Sequence, residues 1–155
     1  TKVSGKTLGI VGFGRIGQAM AQRAHHGFGM KIVVQNRSAL AQEVLDRFGA
    51  TQVASLDDLM PQCDVLSLHC PGGDSNRHLI DGRRLALMKP GAFVINTARG
   101  EVVDEQALAQ AHSVDVQYQG LGGNPVVEPI EIARLREKLA RRIEQLQKLL
   151  DKGAE

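Results

Sequence analysis

The sequence predicts an α/β fold in which a doubly wound parallel sheet is covered by helices on both faces. Short apolar segments alternate with helical patterns from the beginning of the chain to about residue 111. Several of these segments are runs of Val, Ile and Leu without strict alternation, as expected for strands buried on both faces. Strands that alternate with helices in this order form parallel sheets.

Five strands are predicted, and helices fill the intervals between them. The strands are expected at residues 8–11, 31–35, 50–53, 64–69 and 92–96, and the helices at 18–25, 39–48, 55–61, 81–88 and 105–111. Ser55 and Asp58 form a capping box for the third helix, and Gly49 stops the second. Asp81 and Asp104 are suited to cap the last two helices.

The chain changes character after residue 112. Residues 113–128 are polar and glycine-rich and are predicted to form a linker, whereas residues 129–153 have the pattern of a long amphipathic helix. The predicted organisation is therefore a domain at 1–112, a linker at 113–128 and a helix at 129–153. The predicted helix at 129–153 carries a stripe of apolar residues along one side, and two interpretations of that stripe remain open. The helix docks on its own domain, or it pairs with another subunit in a homo-oligomer.

Composition excludes several classes of function. The 19 basic and 17 acidic side chains give a net charge of +2, and aromatic residues make up 3% of the chain. Neither nucleic acid nor a membrane surface is therefore expected as a partner. The two cysteines match no zinc spacing, so no metal site is predicted, and a reduced cytoplasmic setting is expected. No signal peptide or membrane-spanning segment is recognised.

The turn between the first strand and the first helix reads Gly12-Phe13-Gly14-Arg15-Ile16-Gly17. In this context a G-x-G-x-x-G run is a dinucleotide-binding fingerprint of the Rossmann-like fold. Gly12 permits the tight turn, Gly14 lets the backbone approach a pyrophosphate, and Gly17 allows the helix and strand to pack closely. The alternative is a glycine-rich turn that binds no ligand.

The end of the second strand predicts which dinucleotide is bound. NAD-binding domains carry an acidic residue there, which hydrogen-bonds the ribose hydroxyls. This chain has Asn36, Arg37 and Ser38 instead, so no carboxylate repels a 2′-phosphate and a guanidinium is present to bind one. NADP(H) is therefore favoured, with NAD(H) as the second possibility. Ser38 is also expected to cap the second helix, and the alternative for Arg37 is a side chain that lies in solvent.

Later segments resemble one known family. The runs at 67–71, 87–100 and 102–105, together with the glycine turn, closely resemble the nucleotide-binding domain of the D-2-hydroxyacid dehydrogenases, and in particular its glyoxylate/hydroxypyruvate reductases. The resemblance covers about residues 3–111. It implies an oxidoreductase domain that binds a nicotinamide cofactor for hydride transfer between NADP(H) and a small 2-oxo or 2-hydroxy acid.

The resemblance also implies roles for individual residues in cofactor binding. Arg15 and Ile16 would meet the pyrophosphate, and Cys70 and Pro71 would border the adenosine. Thr97 and Ala98 would lie near the nicotinamide ribose, and Asn76 stands where the family often has a threonine close to the cofactor.

Arg99 is implied to be the catalytic arginine that binds the substrate. Its guanidinium can hold a carboxylate bidentately and polarise the adjacent carbonyl. The family's catalytic histidine and its glutamate partner have no counterpart here, and the substrate domain is missing. We therefore expect a catalytically incomplete chain, which is truncated, rearranged or engineered. The alternative function is a non-catalytic nucleotide-binding or oligomerisation module.

Overall fold

The structure, a computed structural model, describes residues 2–110. The predicted linker and amphipathic helix lie outside the described residues. All five predicted strands are confirmed, and every strand pair is parallel. They are β1 (Thr7–Val11), β2 (Lys31–Gln35), β3 (Ala50–Val53), β4 (Val65–Leu68) and β5 (Phe93–Asn96). Their order in the sheet is β3-β2-β1-β4-β5, so the order in which strands are added reverses between β1 and β4, where open α/β sheets bind ligands.

The helices connect these strands on the two faces. They are α1 (Arg15–Gln22), α2 (Gln42–Arg47), α3 (Leu56–Leu59), α4 (Gly82–Leu85) and α5 (Glu105–Gln110). A π-helical turn, Arg23–Gly27, continues α1, and single 3₁₀ turns lie at Met60–Gln62, Asp74–Asn76 and Gly100–Val102. No helix within residues 2–110 is both long and apolar enough to cross a membrane.

The core consists of two apolar clusters, one on each face of the sheet. One cluster joins Ile10 and Ile32 of the sheet to Ala21 of α1 and Leu45 of α2. The other holds Leu59 of α3, Leu85 of α4 and Leu108 of α5 against β1, β2, β4 and β5. This division is the one expected for right-handed crossovers in a doubly wound sheet. Because the strands are parallel, the carboxyl ends of β1, β2, β4 and β5 lie at one edge of the sheet.

Three predicted helix caps are confirmed. The Ser55 hydroxyl accepts a hydrogen bond from the Asp58 N–H (3.1 Å). The Asp81 carboxylate accepts one from the Arg84 N–H (2.9 Å), and Asp104 accepts one from the Ala107 N–H (3.1 Å). Each bond satisfies an amide that has no partner within its own helix.

The predicted cap at Ser38 is wrong, because α2 begins at Gln42 with Ala41 before it. The Ser38 carbonyl accepts hydrogen bonds from the side-chain amides of Asn36 (3.1 Å) and Gln52 (3.0 Å). The Gln52 side chain also accepts the Leu40 N–H (2.9 Å). These bonds hold residues 38–40 outside the helix. The first helix also differs from prediction, since it begins at Arg15 rather than at residue 18.

Candidate functional site

The glycine turn makes a different steric demand at each of its three glycines. Gly12 has a φ of +87°, and a Cβ there would lie 2.9 Å from the Cys70 backbone nitrogen. A Cβ on Gly17 would collide with the Gly12 carbonyl oxygen, whereas one on Gly14 would have nothing within 4 Å. The first and third glycines are therefore required by the fold itself. Gly14 borders open space from which a ligand can approach the backbone.

The turn is anchored to the end of β2. The Phe13 N–H donates to the Asn36 side-chain oxygen (3.1 Å), and the Gly12 N–H donates to the Gln35 carbonyl (2.9 Å). The Phe13 ring is buried and meets Phe48 edge-on, with 5.6 Å between ring centroids. Asn36 thus fixes the turn from the end of β2.

The start of α1 presents backbone donors at this anchored turn. The first intrahelical bond runs from the Gln18 N–H to the Gly14 carbonyl (2.9 Å). The N–H groups of Arg15 and Ile16 precede that bond, so the helix supplies no partner for them. Both side chains are exposed, Ile16 by 69%. Helix starts of this kind bind anions, because the free N–H groups and the helix dipole both favour negative charge.

Arg37 and Cys70 flank the adjoining part of the edge. Arg37 is exposed and Cys70 is 9% exposed. Burial raises the pKa of the Cys70 thiol, and the positive charge of Arg37 acts in the opposite direction.

The loop after β4 is shaped by one side chain of its own and by one from the loop after β5. Asn76 is 6% exposed, and its amide donates to the Pro71 carbonyl (2.8 Å). The Glu101 carboxylate accepts the Gly73 N–H (2.7 Å) from across the site. Asn76 therefore has a structural partner in addition to the cofactor contact that sequence similarity suggests for it.

The loop after β5 is folded around one buried amide. Asn96 is 3% exposed, and its side chain accepts the Ala98 N–H (3.0 Å) while donating to the Arg99 carbonyl (2.8 Å). The exposed Arg99 guanidinium donates to the Ala98 carbonyl (3.0 Å). A Cβ on Gly72 would lie 2.7 Å from the Arg99 Cγ. Arg99 is thus packed against the loop that follows β4.

His69 links the ends of β4 and β5. Its Nε2 lies 2.9 Å from the Ser67 hydroxyl, and its Nδ1 lies 3.1 Å from the Thr97 hydroxyl. The Thr97 hydroxyl is also 3.2 Å from the Leu68 carbonyl, to which it donates. Burial lowers the pKa of His69 below its usual value, because a charged ring loses solvation there.

The sequence-predicted site residues all lie on the connections after β1, β2, β4 and β5, and the structure brings these connections together. The residues are Gly12, Gly14, Arg15, Ile16, Gly17, Asn36, Arg37, Ser38, Cys70, Pro71, Asn76, Thr97, Ala98 and Arg99. Within residues 2–110, no three His, Cys, Asp or Glu side chains are grouped to hold a metal ion.

Sequence reasoning missed three residues that shape the site, namely His69, Asn96 and Glu101. Asn96 had a detectable signal, because an amide at the end of a buried strand requires partners. His69 also follows a buried strand, but its partner Thr97 is 28 residues away. Glu101 is the same distance in sequence from Gly73 and gave no local signal.

The residues present fit a dinucleotide. Gly14 leaves room for a close backbone approach, α1 presents free N–H groups there, and a cation stands at the end of β2. A pyrophosphate bears negative charge and is bound by such N–H groups, and a guanidinium binds a further phosphate.

Comparison with known proteins agrees with this chemistry. Residues 1–117 match the family described as "D-isomer specific 2-hydroxyacid dehydrogenase, NAD binding domain". A glyoxylate reductase of Thermococcus litoralis is 50% identical over 109 residues, which are 70% of this chain. A glyoxylate/hydroxypyruvate reductase B of Enterobacter agglomerans is 49% identical over 106 residues, or 68% of the chain. The chain spans 32% of the length of each relative.

A solved structure shares the fold. The apo form of D-mandelate dehydrogenase from Rhodotorula graminis superposes with a TM-score of 0.77 and 33% identity. The match covers 85% of this chain and 39% of that one. The chain therefore belongs to the D-isomer-specific 2-hydroxyacid dehydrogenase family, of which it carries the NAD-binding domain.

Proposed function

We propose that this chain binds NADP(H) and serves hydride transfer between that cofactor and a small 2-oxo or 2-hydroxy acid. The observation that carries the proposal is the steric pattern of the glycine turn. Gly12 and Gly17 have no room for a side chain, and Gly14 faces open space. That pattern matches the roles of the three glycines in dinucleotide binding. The pyrophosphate would meet Gly14, Arg15 and Ile16.

The preference for NADP(H) rests on the loop after β2. Asn36 has no charge to repel a phosphate, and its amide is bonded to Phe13 and Ser38. Arg37 is exposed, and its charge acts on Cys70 at the same edge. A 2′-phosphate bound beside Arg37 would be held by the guanidinium of that residue and by the Ser38 hydroxyl.

Arg99 is the residue proposed to bind the substrate. Its exposed guanidinium stands on the loop held by Asn96, which follows a strand of the central sheet. A bidentate pair with the substrate carboxylate would orient the neighbouring carbonyl carbon, and the positive charge would stabilise the developing negative charge. The nicotinamide, when bound, supplies or accepts the hydride. A proton donor is needed to complete reduction, and no described residue is assigned to that step.

Two relatives are named for the reduction of glyoxylate or hydroxypyruvate, which supports a small 2-oxo acid as the substrate class. The chain matches about a third of their length. The nucleotide site and Arg99 are therefore what this chain is proposed to contribute to the activity.

A paired titration tests the proposal. NADPH and NADH are each added to the full chain and to Arg37→Ala, and the cofactor fluorescence is followed. We expect tighter binding of NADPH than of NADH, and a loss of that preference in Arg37→Ala with NADH binding unchanged. Arg23→Ala is a matched control that should leave both affinities unchanged, because Arg23 is an exposed arginine at the end of α1 opposite the glycine turn. Equal affinity for the two cofactors would contradict the NADP(H) preference. Binding of neither would contradict the nucleotide site itself and favour a scaffold module.

A further inference from the structure

Both ring nitrogens of His69 have a hydrogen-bond partner at the carboxyl edge of the sheet. Nε2 faces the Ser67 hydroxyl at 2.9 Å, and Nδ1 faces the Thr97 hydroxyl at 3.1 Å. Ser67 is fully buried within β4, and Thr97 is the first residue after β5. The ring therefore spans the two strands whose loops shape the proposed site.

Counting protons identifies one tautomer. The Thr97 hydroxyl has a single proton, which it donates to the Leu68 carbonyl (3.2 Å). Thr97 must then accept from His69, so Nδ1 carries the proton. Nε2 is left as an acceptor for the Ser67 hydroxyl. This assignment makes three hydrogen bonds. In the Nε2–H tautomer the Ser67 hydroxyl would have to accept from the ring, and its own proton would have no acceptor.

We propose that neutral, Nδ1-protonated His69 is a positioning residue that holds Thr97, and with it the loop of Ala98 and Arg99, in its working geometry. The importance of that loop for cofactor and substrate rests on the function proposed above. His69 would act through Thr97 and would not touch the reacting atoms.

Protonation of His69 would disturb this arrangement. A proton on Nε2 requires Ser67 to become an acceptor, and its buried hydroxyl proton then loses its partner. A buried donor without a partner typically costs about 1–3 kcal/mol. The ring should therefore resist protonation, and burial indeed lowers its pKa. The hydrogen-bond network and the solvation of the ring thus favour the same neutral form.

Burial of the ring is the cause that lowers the pKa of His69. The charged side chains on the neighbouring loops are Arg37, Arg99 and Glu101, and all three are exposed, so solvent screens their effect on the ring. Because burial opposes protonation, we expect His69 to be neutral near neutral pH and to protonate below its usual value of about 6.5.

Histidine side-chain NMR on the full chain tests the proposal without any cofactor. At about pH 7.5 the ring of His69 is expected as the neutral Nδ1–H tautomer. The backbone amide shifts of Thr97 and Ala98 are expected to follow the ring titration with the same midpoint, below about 6.5. An Nε2–H tautomer would overturn the proposal, as would a ring titration that leaves those amides unmoved.

Two variants separate positioning from simple packing. His69→Asn retains a donor that branches from Cγ, as Nδ1 does, but does not titrate. It is expected to keep the Thr97 and Ala98 amide shifts near their wild-type values at high pH and to abolish their dependence on pH. His69→Leu removes the donor and is expected to displace both amides at every pH. Equal displacement in the two variants would overturn the positioning role.

The effect on ligand binding provides a second readout. The wild-type affinity for NADPH is expected to be lower at a pH below the measured midpoint of the His69 ring than at about pH 7.5. The drop is expected to be smaller in His69→Asn, where the 2′-phosphate of NADPH still titrates but residue 69 does not. If the amides follow the ring but no NADPH binds at either pH, the proposed function fails and the positioning role stands. If wild type and His69→Asn lose NADPH affinity equally as the pH falls, the coupling of His69 to the site is refuted.

Discussion

The glycine turn after β1 and the loops after β4 and β5 meet at the same edge of the sheet, but they are built in different ways. The turn is shaped by the absence of side chains: Gly12 and Gly17 have backbone atoms where a Cβ would stand. The two loops are shaped by side-chain hydrogen bonds: those of Asn76 and Asn96 reach backbone groups five and three residues away, whereas that of Glu101 reaches Gly73, 28 residues away.

The difference shows which kinds of site can be recognised from sequence. The contact that excludes a side chain at Gly17 is with Gly12 in the same turn, and the positive φ of Gly12 belongs to the turn itself, so both leave a local spacing such as G-x-G-x-x-G. The hydrogen bond between Glu101 and Gly73 joins residues 28 apart, which only the fold brings together. The same contrast predicts how the two regions respond to substitution.

The largest effect is expected in the turn, at Gly17. Gly17→Ala forces a methyl group onto the Gly12 carbonyl oxygen. Because the glycine turn is anchored to the end of β2, the backbone there cannot move easily to relieve the contact. Overpacking usually costs about 1–3 kcal/mol and occasionally more, and we expect this loss at or above the top of that range because the contact is with backbone. Chemical denaturation of the full chain measures the loss.

Gly14→Ala is the matched control for that loss. A Cβ there meets nothing within 4 Å, and the φ of −74° suits any residue. The poorer helix cap and the reduced chain entropy nearly offset each other, so we expect a change within about 0.5 kcal/mol. Equal losses at the two positions would contradict the steric account of the turn.

Asn96→Ala is expected to have the next largest effect, in the loop after β5. It removes the partner of both the Ala98 N–H and the Arg99 carbonyl. Removing one partner of a buried hydrogen bond costs about 1–3 kcal/mol. Gln42→Ala is the control, because its amide bonds Asp46 on the exposed surface of α2. If denaturation midpoints fall equally in both variants, the loop does not depend on the buried amide.

Much of the architecture could be predicted from the sequence, whereas parts of the site could not. The strand positions and the caps at Ser55, Asp81 and Asp104 follow from local patterns and are confirmed. The wrong cap at Ser38 has a non-local cause, because Gln52 on β3 takes part in holding residues 38–40. No pattern within the loop could reveal that contact.

Glu101→Ala tests the connection between the two loops and should have a smaller effect. It removes the carboxylate that accepts the Gly73 N–H, and Glu101 is exposed. We expect a loss of about 0.5–1.5 kcal/mol and larger amide shift changes at Gly73 than in β4. Glu101→Gln keeps an acceptor and should retain most of the wild-type shifts. A Gly73 shift that is the same in Glu101→Ala and wild type would disprove the connection.

The smallest effect is expected away from both regions, at Asp57 on α3. Hydrogen bonds from Arg83 and Arg84 lower the pKa of Asp57 from 3.8 to about 2. A lowered carboxyl pKa stabilises the folded protein above pH 3.8, and that contribution disappears as the pH falls from 3.8 towards 2. The stability difference between wild type and Asp57→Asn should therefore shrink over this window in acid denaturation. A difference that is constant with pH would contradict the pairing.

Calorimetric titration of the full chain with NADPH, carried out in parallel on Gly14→Ala, tests the central claim most directly. The account predicts one NADPH bound per chain. It also predicts affinity about tenfold weaker in Gly14→Ala, equivalent to about 1.4 kcal/mol, at an unchanged denaturation midpoint. Wild-type affinity in that variant, or no binding by the wild-type chain, would contradict a dinucleotide site built on the glycine turn.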